Sequence, residues 1–273
     1  MTGSARGRTG GSRYGERVPL VAAAVCPHPP LIVPELAGAA AAELDDLRRA
    51  ADHAVARLLA CAPDGLVLLG AGPATGWIAP PAVGSFRPWG ADLSVPLPAG
   101  PDDTPLPPHA ASAGGDVPVT VGGQALPLSL TVGAWLLARH RIRVPVAAAQ
   151  VDAEATAAEL ASLAGQVHQH RPRVALLVLG DGSACHGTNA PGYADPRAGA
   201  YDDGVARALA GADAEALLGL DPALSARLKV AGRAPWQVLA GATRAAGGDW
   251  RGRLTYHGAP YGVAYFVATW ERA

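Results

Sequence analysis

RVALLVLGDG, residues 173–182, is the stretch that decides the fold class. Its apolar run from Val174 to Leu179 is unbroken and stops at Gly180-Asp181-Gly182. So short a run, bounded by turn residues and without polar alternation, reads as a strand covered on both faces. DGLVLLG at 64–70, RVPVAAAQV at 143–151 and VPLVAAAVC at 18–26 share that character. Between them the spacing turns helical. Over 38–62, Leu44, Leu47, Val55, Leu58 and Leu59 share one face, while Asp45, Arg48, Arg49 and Arg57 fall mostly on the other. Helices also fit about 153–170, 199–218, 221–230 and 234–246, and RLTYHGAPYGVAYFVATW (253–270) reads as a hairpin turning near Gly258-Ala259-Pro260. Strands alternating with helices predict an α/β fold with a mostly buried mixed sheet flanked by helices.

The 273 residues, 49% hydrophobic and 16% charged, are long enough to bury a substantial core. A net charge of −1 leaves no electrostatic footprint for nucleic acid or acidic lipid. Three widely spaced cysteines without a CxxC pair suit a reducing cytosol and exclude a disulfide framework, so a cytoplasmic location is expected. The basic, Gly/Ser-rich residues 1–17 read as a disordered tail rather than a signal peptide, because the following apolar run is only strand-length. No stretch approaches the ~20 apolar residues of a membrane span. Residues 18–273 then form one domain. It is interrupted by a Pro/Gly-rich excursion at about 78–128, and 11 of the 25 prolines fall within 80–127.

Ligands in α/β sheets gather at the carboxyl ends of strands. Three such ends carry small or polar residues: CPHPP at 26–30, GAGPATG at 70–76 and GDGSACHGTNAPGY at 180–193. In the first, prolines on both sides of His28 fix the backbone that presents its imidazole. The second is a near-miss for a dinucleotide fingerprint, since Thr75 stands at the third glycine position and Pro73 interrupts the turn. A nucleotide-binding reading requires a helix to start near Thr75. The third places Asp181, Ser183, Cys185 and His186 after the strongest strand, yet is not a G-x-S-x-G elbow. His168 and His170 sit at a helix end, where basic side chains complement the helix dipole, and are expected to be solvated.

CPHPPLIVPEL, GDGSA with the following APGY, and APYGVAYFV resemble, in order and spacing, three stretches of the class III extradiol dioxygenases. That family is typified by the catalytic subunit of protocatechuate 4,5-dioxygenase, and the resemblance spans about 18–270. It implies a LigB-like fold and a non-haem Fe(II) held by two histidines and a carboxylate, with catecholate and O2 in the open positions. A further histidine would serve as acid–base catalyst in an oxidoreductase of the ring-cleaving type. His28 matches the first iron histidine. The second is expected in an H-G-P turn that here reads Ala71-Gly72-Pro73, and the acid–base histidine is expected where Ala184 stands. For the family's glutamate, Glu35, His257 and Glu271 are the available side chains.

The implied protein is extradiol dioxygenase-like with a degenerate iron site, binding a small molecule or partner in the family cleft with no tightly held metal. The alternative is a rebuilt site for Fe(II) or another divalent metal, with His28 and His257 as ligands and His186 and Asp181 as catalytic groups. The resemblance leaves a homo-oligomer open.

Overall fold

Four of the apolar runs become parallel neighbours. The computed structural model describes residues 20–98 and 124–273, so the expected tail at 1–17 and the middle of the excursion lie outside the described residues. In chain order the structure begins with β1 (Leu20–Cys26), α1 (Pro34–Ala37), α2 (Asp45–Ala60), β2 (Gly65–Ala71) and β3 (Gly76–Ile78). Next come β4 (Ala82–Ser85), β5 (Ser94–Pro96), β6 (Gln124–Ala125), α3 (Leu128–Ala138), β7 (Val146–Val151), α4 (Ala157–Gln169) and β8 (Val174–Leu179). The chain continues with α5 (Ala198–Gly211), α6 (Ala214–Leu218), α7 (Pro222–Arg227) and α8 (Arg233–Ala246), and closes with β9 (Trp250–Gly258) and β10 (Tyr265–Arg272).

A mixed sheet runs in the order β3-β7-β2-β8-β1-β10-β9. β7, β2, β8 and β1 are parallel, while β3, β10 and β9 join antiparallel at the flanks. Alternation divides each central strand between two cores. Val25, Val67, Leu69, Leu176 and Val178 face α4, α5 and α8, where Leu163, Val205, Leu209 and Trp236 are buried. Cys26, Leu66, Leu68, Leu177 and Leu179 face α2 and α3, with Leu47, Val55, Leu130 and Leu136. The described flanks of the excursion form a small separate sheet, β5-β4-β6, on the α3 side.

α3 was absent from the sequence-based expectation. LSLTVGAWLLA is apolar on every side because sheet and small sheet cover it, so it carries no polar face from which to read a helical period. Gly133 lets it lie close, since a Cβ there would come within 2.8 Å of the Leu179 side chain. The helix expected over 38–62 begins later, at Asp45, after a tighter 3-10 segment at Gly38–Leu44. The single helix expected at 199–218 breaks at Ala212, which adopts φ 52, into α5 and α6. Among the described residues no helix is long and apolar enough to cross a membrane.

Candidate functional site

Parallel alignment brings the carboxyl ends of β1, β2, β7 and β8 to one edge. The antiparallel β10 starts at that edge, so the 259–264 turn lies there too. Backbone hydrogen bonds extend the order past the strands: Gly180 N donates to Cys26 O (3.0 Å), Gly182 N to Ala264 O (2.7 Å), and His186 N to Gly262 O (3.0 Å). Segments 26–28, 180–186 and 262–264 are thereby locked together.

Two polar clusters result. In the first, the His28 backbone N–H donates to Asp181 Oδ1 at 2.8 Å, and both side chains are buried. His28 Nδ1 lies 3.6 Å from the same oxygen, too far for a hydrogen bond, and is a buried atom without a partner. Burial pushes the Asp181 carboxyl above the ordinary aspartate range, against the lowering influence of His28 and its N–H. Tyr265, buried close by, has its phenol pushed up by desolvation first and by the Asp181 charge second. Tyr261, whose hydroxyl donates to Glu43 Oε2 at 2.8 Å, and Tyr256 pack on the same side of the sheet.

The second cluster is organised by Asp202 on α5, which is 1% exposed. Its Oδ1 accepts the Ser183 backbone N–H at 3.0 Å. Its Oδ2 accepts the Ser183 hydroxyl and lies 2.6 Å from His186 Nε2. Ser183 is wholly buried, whereas the His186 side chain is 28% exposed. Nothing in the sequence marks Asp202. It lies 19 residues from Ser183, on a helix whose other acidic residue, Asp203, is exposed.

The four expected site residues therefore part company. Asp181 meets His28, and His186 meets Asp202. His257 is exposed on the edge strand β9 and stacks on Phe266 at 4.9 Å between ring centroids. β10 separates β9 from β1, which sets His257 and His28 about two strand spacings, ~10 Å, apart in backbone. Ala71 and Ala184 serve the backbone: the Ala71 carbonyl accepts Ser129 Oγ at 2.6 Å, and Ala184 N donates to Leu228 O at 2.9 Å. Of the candidates for the family's glutamate, Glu35 is exposed, and Glu271 pairs with Arg57 (2.6 Å) opposite Ala22 on β1, well before the Cys26 end. Among the described residues no group of three or more His, Cys, Asp or Glu side chains is placed to hold a metal ion. With alanine at two expected histidine positions, the donor set does not fit a facial-triad iron.

His170 is half-buried and stacks on Trp77 (4.8 Å), and His168 Nδ1 is buried without a partner, so this pair is packed rather than solvated. Burial lowers both imidazoles' affinity for a proton, with Arg272 and Arg171 adding to it. GAGPATG ends in β3, antiparallel to β7, in place of the helix a dinucleotide site needs. A cavity of about 380 Å³ beside Arg48, Asp52 and Arg139, and another of about 280 Å³ beside Thr243 and Trp250, include none of the four expected site residues.

No family model and no curated protein matches the chain. Among solved structures it is similar to an uncharacterized protein from Escherichia coli K12, at 14% identity and a TM-score of 0.49 over 92% of this chain and 99% of that one.

Proposed function

We propose that this protein is a non-oxygenase relative of the class III extradiol dioxygenases that binds a small hydroxylated molecule beside His28 and Asp181. One observation carries the reading: a buried imidazole nitrogen with no partner stands next to a buried carboxyl whose proton is held more firmly than usual. A buried polar atom without a partner costs ~1–3 kcal/mol, which a ligand hydrogen bond would recover. A protonated Asp181 can donate while His28 Nδ1 accepts, a pairing that suits a neutral alcohol or phenol. The tyrosines at 256, 261 and 265 add aromatic surface on the same side. Iron-dependent ring opening is disfavoured by the residues themselves, since Ala71 and Ala184 can neither ligate nor move a proton.

The test combines metal analysis with calorimetry. Protein purified anaerobically with Fe(II), Zn(II) or Mn(II) supplied, beside His28→Ala, is titrated with catechol. The expected result is catechol binding that needs no metal and weakens at least about tenfold in the variant, the loss of one good hydrogen bond. Near-stoichiometric metal that disappears in His28→Ala would overturn the reading in favour of a rebuilt metal site.

A further inference from the structure

The Asp202 cluster has a chemistry separate from the His28 pocket. Ser183, Asp202 and His186 are the residue types of a hydrolase triad, but the order of contact differs. In that triad histidine stands between the carboxylate and the serine. Here the carboxylate stands between, and Ser183 is 0% exposed, so its hydroxyl is no nucleophile. What remains is a carboxylate–imidazole pair with an unusually well-fixed carboxylate.

Proton positions follow from the hydrogen bonds. The Ser183 backbone N–H can only donate, so Asp202 Oδ1 must accept. With Asp202 as a carboxylate, Oδ2 accepts both the Ser183 hydroxyl and, at 2.6 Å, the Nε2–H of His186. The neutral imidazole then carries its lone pair on Nδ1. That nitrogen has no partner among the described residues and is absent from their buried unpartnered atoms, so it meets solvent. A side chain at Gly182 would meet Asp202 Oδ1 at 2.6 Å and the Phe266 ring at 2.7 Å. The buried end of the pair is thus sealed, and only Nδ1 is available. We propose that His186 is an oriented proton acceptor, with Asp202 as its positioning residue, serving a ligand that brings a hydroxyl group to this rim of the sheet.

Substituting asparagine at position 202 makes a sharp prediction. The Ser183 N–H holds the amide oxygen in the Oδ1 place, so the amide nitrogen must occupy the Oδ2 place and donate to Nε2. The imidazole is forced to carry its proton on Nδ1, and the exposed lone pair is lost. Two readouts follow this. Nitrogen NMR at about pH 8.5, above the ordinary imidazole range, reports which His186 nitrogen is protonated. Diethyl pyrocarbonate, which acylates an imidazole lone pair with loss of ethyl carbonate, reports the reactivity of His186 by peptide mapping, with the exposed His53 as internal reference. The expected result is a proton on Nε2 in the native protein, transferred to Nδ1 in Asp202→Asn. His186 acylation should fall there by at least about tenfold while His53 is unchanged. Should Asp202→Asn fail to fold, Ser183→Ala retains the backbone anchor and should keep the native tautomer and rate. A native proton on Nδ1, an unchanged tautomer in Asp202→Asn, or a flipped one in Ser183→Ala would each overturn the assignment.

Discussion

Asp181 shows how one side chain can both build the edge and burden the fold. Its carboxylate caps the His28 N–H, yet burial favours the protonated form. In the unfolded chain it would titrate near the ordinary value of ~3.9. Because the folded value is raised, its contribution to stability is full below that value and is lost as pH climbs through the folded one. Asp181→Asn keeps an oxygen for the His28 N–H and does not ionise. Its melting temperature should match the native protein's at pH values below the ordinary aspartate range and exceed it by a few degrees at pH values above the folded titration. A difference that stays flat between those pH values would refute the assignment. Legibility was uneven at this scale. His28 was visible because prolines flank it, and Asp181 because it ends the strongest strand. Asp202 and Tyr265 were not, because what makes them matter is a contact with residues far along the chain.

At the scale of elements, α4 was legible as a helix over about 153–170, but local chemistry sets its start later. α4 starts at Thr156, whose hydroxyl accepts the Glu159 N–H (3.3 Å) while Glu159 Oε2 accepts the Thr156 N–H (2.8 Å). Thr156→Ala removes the first of these bonds and should cost ~1 kcal/mol, a few degrees in melting temperature, with the fold retained. No loss would mean that α4 is held by packing alone. The strands were legible because burial on both faces leaves an apolar run with turn residues at each end. α3 was not, since a helix covered on every side has lost the polar stripe that announces a period. The break at Ala212 was equally hidden, as both sides of it read as helix.

Taken whole, the molecule places its cysteines by depth. Cys26 is buried and its thiol is pushed up to about 12 by desolvation, with the Asp52 charge adding to it, and Cys185 is buried as well. Cys61 is partly exposed at the end of α2. Iodoacetamide should therefore modify Cys61 first in the native state, and Cys26 and Cys185 only on global unfolding. Native-state labelling of Cys26 as fast as Cys61 would mean that the β1 edge opens independently of the rest. The mixed α/β architecture was legible in the alternation of runs. The sheet order was not, because β1 lies between β8 and β10, partners from the far half of the sequence.

That placement has a consequence in time. The ribosome makes β1 well ahead of both its neighbours, β8 and β10, and of the 262–264 segment that locks the site edge. A nascent chain must therefore carry the apolar strand β1 without its sheet partners until β8 and then β10 have been made. A product lacking the β9–β10 hairpin would carry the partners of both polar clusters without the 262–264 contacts that lock them to the sheet edge.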